Sequence, residues 1–194
     1  MCDVDLEKVI KNGWIENTNK IEELFNKEIN IKKESYTIQK LLDKHDDKFC
    51  TPNKDNIFNA FKLFSLAETR VVILGQDPYP DKKSKKADGL AFSQNGKKTA
   101  VASLKNIFNA VEEYLNKNKI EIINKNFDPN LKIWARDNKV LLLNTALTYD
   151  DNLSHTQRKK IWAPFISRII YELLTCKDSP GPLVIFLWGG DAQE

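Results

Sequence analysis

"VVILGQDPYP", residues 71–80, runs four aliphatic side chains into Gly75 and then sets Gln76, Asp77, Pro78, Tyr79 and Pro80 in a row. Short, nearly continuous apolar runs of this kind are the pattern of strands buried on both faces of a parallel sheet. Two more share it, "KVLLLN" (139–144) and "LVIFLWG" (183–189). Helical patterns lie between them. "SLKNIFNAVEEYLNKN" starts at Ser103 as a helix N-cap and repeats apolar residues at Leu104, Ile107, Phe108, Val111 and Leu115, and "APFISRIIYELLTC" (163–176) behaves in the same way. Strand, helix, strand, helix, strand predicts an α/β fold, a three-layer α/β/α sandwich around a short, mainly parallel central sheet. Ligands bind beyond the carboxyl ends of such strands, so residues 75–80, 144–148 and 189–193 take priority.

The rest of the chain sets bounds. Its 194 residues suffice for one substantial core, and no Gly/Ser-rich or Pro-rich linker divides them, so residues 1–194 are read as a single domain. Residues 1–50 form a charged N-terminal region with helical spacing in "IEELFNKEI" and "YTIQKLLDKH". "TPNKDNIFNAF" reads as a turn and a short helix that presents Ile57, Phe58, Phe61 and Phe64. A net charge of +3 is too small to identify a nucleic-acid partner. Cys2, Cys50 and Cys176 have no metal-ligand spacing and are odd in number, which fits a reduced intracellular protein. The N-terminus lacks the basic and apolar segments of a secretory signal, and no apolar stretch approaches the ~20 residues that span a bilayer. The expected location is intracellular, the nucleus in a eukaryote or the cytoplasm in a bacterium.

Several residues near the strand ends have both a chemical and a structural reading. Asp77 follows a glycine and precedes a rigid proline, so its carboxylate is held; it either orients a water or caps a turn. Tyr79 is a pocket wall or a loop anchor. The amide of Asn144 donates and accepts at once, which suits the edge of a base, although a strand-end cap is the ordinary role. Phe92 in "GLAFS" is a stacking surface, worth ~1–3 kcal/mol per base, or part of the core. The basic stretches "DKKSKK" (81–86), "GKK" (96–98) and "QRKK" (157–160) are phosphate contacts or solvated surface. His155, in the loop "NLSHTQ", offers proton transfer, a phosphate contact or a structural hydrogen bond.

Taken in order, "GQDPYP", "GLAFS", "SLKNI", "LLLNTALT", "SH", the pair Trp162 and Phe165, and "VIFLWG" resemble the family 1 uracil-DNA glycosylases from about Thr51 onward. The resemblance implies a base-excision-repair hydrolase that cleaves the N-glycosidic bond of uracil in single- or double-stranded DNA, as a monomer, with no metal and no organic cofactor. It implies that Asp77 positions the attacking water and stabilises the cationic sugar. It further implies that Tyr79 excludes thymine's methyl group, that the Gln76 backbone helps hold the base, that Phe92 stacks on it, and that Asn144 reads its edge. Ser103, Gly189 and Gly190 match loops that contact the DNA backbone, and His155 is placed with them. A proteinaceous inhibitor or a replication partner belongs to the same expectation.

The sequence departs from the family's pattern at four places. Pro80 stands where the motif usually has His, "AVAS" replaces a proline-rich loop before Ser103, and Gly190 replaces a common Ser. The family also continues into a His-Pro-Ser-Pro segment, whose His stabilises the departing uracil anion, whereas this sequence stops at Glu194 and His155 does not match that residue. A truncated form of the enzyme is therefore expected. The alternative is a catalytically impaired DNA-binding or replication-partner protein on the same scaffold. A binder of phosphorylated small molecules ranks lowest, because no P-loop or GxGxxG fingerprint is present.

Overall fold

Alternation along three short strands sorts the interior into two layers. The computed structural model describes residues 6–80, 86–96, 99–121, 127–176, 178, 181–188 and 190–193. In chain order it contains α1 (Glu7–Lys11), α2 (Thr18–Asn26), β1 (Ile29–Ile31), β2 (Glu34–Tyr36), α3 (Ile38–Asp43), β3 (Cys50–Thr51) and β4 (Val71–Gly75). There follow α4 (Ala102–Lys117), α5 (Lys132–Asn138), β5 (Val140–Asn144), β6 (Tyr149–Asp150), α6 (His155–Thr175), β7 (Val184–Leu187) and α7 (Gly190–Gln193). β5, β4 and β7 lie side by side in that order and are parallel, as the three apolar runs require. Because successive side chains in a strand point to opposite faces, Val72, Leu74, Leu141 and Leu143 enter a core with Phe58, Phe61, Trp162 and Phe165. Ile73, Val140 and Leu142 enter a second core with Leu90, Leu104, Leu131 and Ala135. Thus α6 covers one face and α4 and α5 the other, the three-layer arrangement expected from the sequence.

The larger core is aromatic. Phe58 lies 5.7 Å from Phe165, 6.0 Å from Phe25 and 6.1 Å from Trp162, ring centre to ring centre. Such pairs add about 0.5–1.5 kcal/mol beyond the area they bury. Ile57, Phe58, Phe61 and Phe64 are all buried as predicted, but their segment folds as two 3₁₀ turns, Lys54–Asn56 and Asn59–Lys62, instead of one short helix. The N-terminal helices bury Ile21, Leu24, Phe25, Ile38 and Leu42 in the same core, so they are part of the domain's interior as well as its surface.

Three local expectations are corrected. The last long helix begins at His155, not Ala163, because Ser154 and Gln157 form a capping box: Gln157 N donates to Ser154 Oγ (3.3 Å) and Ser154 N donates to Gln157 Oε1 (2.9 Å). Pro164 is accommodated inside that helix. The N-cap of α4 is Val101, not Ser103; the backbone N–H of Val101 donates to the Gln94 amide at 2.7 Å, and Ser103 lies within the first turn. Finally, Ile29–Ile31 and Glu34–Tyr36 pair as an antiparallel hairpin. Lys32 and Lys33 turn it with positive φ values of 51° and 72°, a conformation usually signalled by Asn or Gly. No described helix is long and apolar enough to cross a membrane.

Phe165 is fully buried and faces Phe25, Phe58, Phe61 and Trp162. Phe165→Ala is expected to lower the unfolding free energy by about 3–5 kcal/mol. Urea denaturation measures this, and an unchanged midpoint would place the core elsewhere.

Candidate active site

The parallel register brings the first and second strand ends together. Gly75 pairs with Asn144, so the loop after β4 and the side chain ending β5 open onto the same hollow. That loop is stitched from two sides. Thr145 N donates to Gly75 O (2.9 Å), Ala146 N to Gln76 O (3.2 Å) and Thr145 Oγ1 to Gln76 O (2.7 Å). From the other side, Thr51 Oγ1 donates to Tyr79 O at 2.7 Å. Gly75 is required by close approach: a Cβ there would lie 2.7 Å from Asn144 Oδ1, 3.1 Å from Ala91 Cβ and 3.2 Å from the Phe92 ring.

A second loop closes the hollow. Gly89, at φ +87°, passes so near the 54–56 turn that a Cβ would sit 1.8 Å from Asn56 O. The buried Asp88 carboxylate accepts from Ser93 Oγ (2.6 Å) and Leu90 N (3.2 Å), while Ser93 Oγ accepts from Leu131 N (3.0 Å). This network holds Phe92 at φ +65°, a left-handed conformation that costs a non-glycine residue on the order of 1–3 kcal/mol. The strained residue thereby presents its ring to the hollow. Tyr79 braces it by donating its hydroxyl to Phe92 O at 2.9 Å, and lies 3.5 Å from Ser103 Oγ. Burial pushes the Tyr79 phenol up from its ordinary value, which keeps it a donor.

The resulting cavity, about 220 Å³, is lined by Gln76, Asp77, Tyr79, Phe92, Ser103 and Asn144 among others. Since about 150 Å³ accommodates a benzene ring, this volume suits one substituted six-membered ring. Phe92 and Tyr79 supply aromatic walls. The Asn144 side-chain amide has no hydrogen-bond partner among the described residues, so its donor and acceptor are available to a ligand edge. A larger hollow of about 520 Å³ between α4 and α5 is lined mainly by apolar side chains, with Asp128, Asn130, Asp137 and Asn138 also on its wall. Among the described residues, no three His, Cys, Asp or Glu side chains gather in a way that would hold a metal ion.

Six of the nine site residues singled out in the sequence meet at this cavity. His155 lies just behind it as the first residue of α6, with Nδ1 3.4 Å from Asp77 Oδ2. Gly190 begins α7 and is exposed. Gly189, residues 81–85, and Lys97 and Lys98 lie outside the described residues. The sequence reading missed Arg158, which it grouped with a basic surface stretch: the residue is buried and ion-paired to Asp77, Nη2 to Oδ2 at 2.5 Å. No local signal sets it apart, because its partner is 81 positions away.

A family model described as the uracil DNA glycosylase superfamily matches residues 61–194. The uracil-DNA glycosylase of Fusobacterium nucleatum is 34% identical over 185 residues, covering 95% of this chain and 74% of that protein. That of one Bacillus cereus strain is 35% identical over 191 residues, covering 97% and 75%. A Lactococcus lactis protein of the same name is 39% identical over 145 residues, covering 74% of this chain and 60% of its own length. In three dimensions the chain is similar to mimivirus uracil-DNA glycosylase, with a TM-score of 0.68 at 23% identity over 99% of this chain and 65% of that one. A mimivirus variant solved in complex with UGI gives a TM-score of 0.67 at 22% identity, over 99% and 66%. These two likenesses establish the fold. The chain spans about two thirds of the mimivirus protein and between 60% and 75% of the bacterial relatives.

Two outcomes follow from the site's construction. Gly75→Ala drives a methyl group into the Asn144 amide and the Phe92 ring, so a crystal structure of the variant should show both displaced and the cavity narrowed; undisturbed side chains would refute the close approach. For Asp88, burial raises the carboxyl above its ordinary value and outweighs the hydrogen bonds that favour the ionised form. A carboxyl raised in the folded state supports folding below its unfolded value, about 3.9, and subtracts stability as pH rises through its folded value. The melting temperature of Asp88→Asn should therefore gain on wild type as pH rises above about 4; a pH-independent difference would contradict this.

Proposed function

Because this chain belongs to the uracil DNA glycosylase superfamily, we propose that its cavity receives a uracil flipped out of DNA and that the protein hydrolyses the N-glycosidic bond, leaving an abasic site, in the manner of the family 1 enzymes. The observation that carries the reading is the meeting of a carboxylate, an amide without a hydrogen-bond partner among the described residues and two aromatic walls in one single-ring cavity at the strand ends. A base inside a duplex is out of reach of such a cavity, so extrusion from the stack is required.

Asp77 orients a water toward C1′ of the sugar and offsets the positive charge that develops as the bond to N1 breaks. The water oxygen forms the new bond to C1′, the bonding pair leaves with N1 of uracil, and the water proton passes to solvent. Asn144 presents complementary groups to the O4 and N3 edge. Cytosine places a donor and an acceptor there in the opposite sense, which leaves buried polar groups unpaired, the condition under which discrimination is strongest. Phe92 stacks on the ring, the Gln76 backbone helps hold it, and Tyr79 occupies the space that thymine's methyl group would need. Ser103, Gly189, Gly190 and His155 contact the DNA backbone. Residues 1–194 act as one domain, as a monomer inside the cell, on single- or double-stranded DNA. UGI, found in complex with a mimivirus relative, is a proposed partner of this chain.

Asp77→Asn tests the assignment. Release of uracil from a labelled single-stranded oligonucleotide, read as alkali-sensitive sites against a thymine control, should fall by at least about 100-fold, while binding of uracil-containing DNA persists. Undiminished release would remove Asp77 from the chemistry. Uracil-DNA binding by the wild-type chain with no release would instead identify a protein that binds without cleaving.

A further inference from the structure

Arg158 has no part in the chemistry just described, yet its guanidinium lies directly on the carboxylate assigned to it. Nε and Nη2 both donate to Asp77 Oδ2, at 3.2 and 2.5 Å. Nη1 donates to Asp150 O at 3.1 Å and to Leu153 O. The guanidinium carbon sits 4.2 Å from the centre of the Tyr149 ring. With its side chain 6% exposed and held by these contacts, Arg158 is too enclosed to reach a DNA phosphate.

The asymmetry of the pair carries the inference. An arginine that only neutralised a buried carboxylate would ordinarily fork across both oxygens, one N–H to each. Here two donors converge on Oδ2, and Oδ1 receives no hydrogen bond from the described residues. We infer that Arg158 is the positioning residue for Asp77: it stops rotation of the carboxylate by gripping one oxygen and leaves the other as the acceptor for the nucleophilic water. This rests on the reading of Asp77 as the water-orienting group.

A cation beside Asp77 also opposes its support of a cationic sugar, so the arrangement trades charge for orientation. The trade is softened because the guanidinium charge is delocalised and shared with two carbonyl oxygens and the Tyr149 face. His155 Nδ1, 3.4 Å from the same Oδ2, adds to the grip on that side and not to Oδ1.

The experiment compares wild type, Arg158→Lys, Arg158→Gln, Asp77→Asn and Asp77→Asn/Arg158→Gln in single-turnover uracil release from a uracil-containing oligonucleotide. Misplacing a catalytic group by about 1 Å costs on the order of 100-fold, so Arg158→Gln should lose about that much in the rate constant with KM little changed. Arg158→Lys, which keeps the charge but lacks the fork, should recover only part of it. In the Asp77→Asn background the Arg158→Gln change should cost less than about threefold, since no carboxylate remains to be positioned. Equal losses in both backgrounds mean a structural role and overturn the inference, as does a rise in KM with an unchanged rate constant. If Arg158→Gln does not fold, Arg158→Lys decides the matter alone. A wild-type chain that releases no uracil refutes the proposed activity and not the positioning. In that case the side-chain carboxyl ¹³C resonance of Asp77 decides: broadening or displacement in Arg158→Lys supports the grip, and an unchanged resonance overturns it.

Discussion

The site depends on the register between two parallel strands. Pairing Gly75 with Asn144 sets the end of β4 level with the end of β5, and every functional distance in the cavity inherits that alignment. A slip of one residue would turn Asn144 to the opposite face and exchange the two hydrophobic layers. Register is protected by burial. Val72, Leu74, Leu141 and Leu143 face the aromatic core, while Ile73, Val140 and Leu142 face the smaller one, so an alternative pairing would lose both.

Rigidity at the cavity is built from backbone contacts more than from the lining side chains. The loop that carries Asp77 is held through Gln76 O and Tyr79 O by Thr145, Ala146 and Thr51. The facing loop is held by Asp88, Ser93 and Leu131. That second network supports the left-handed conformation of Phe92, a strain of roughly 1–3 kcal/mol that a loosely tethered loop would relax. Strain at that position holds the ring in one orientation.

Beside this ordered region, β7 presents a different surface. Val184, Phe186, Leu187 and Trp188 are between 37% and 45% exposed, and Trp188 leans edge-on against Phe92 with ring centres 5.4 Å apart. The cavity wall is therefore coupled to the least covered strand of the sheet, and changes in the packing of β7 would reach the ring through that contact.

Much of the protein was legible in the sequence because the signals are local. Three apolar runs, two helical periodicities and the glycine before a polar loop were enough for the α/β/α architecture, the burial of the strands on both faces and the end of the sheet where the candidate site lies. Gln76, Asp77, Tyr79, Phe92, Ser103 and Asn144 do meet there. Other features arise only from contacts between distant segments. The left-handed Phe92 is imposed by Asp88 and Ser93, and the hairpin turn at Lys32 and Lys33 is stabilised by the strands it joins. The early start of α6 rested on a capping box that its sequence does contain, at Ser154 and Gln157, obscured by the more prominent apolar spacing downstream. Arg158 is the clearest case. Within "QRKK" it is one basic residue among several, and only the packing of α6 against the β4 end, across 81 positions of chain, makes it the buried partner of Asp77. Periodicity reports which face of an element is apolar, but the identity of a charge's partner is decided by the tertiary structure, where a low-dielectric interior makes that one pairing matter.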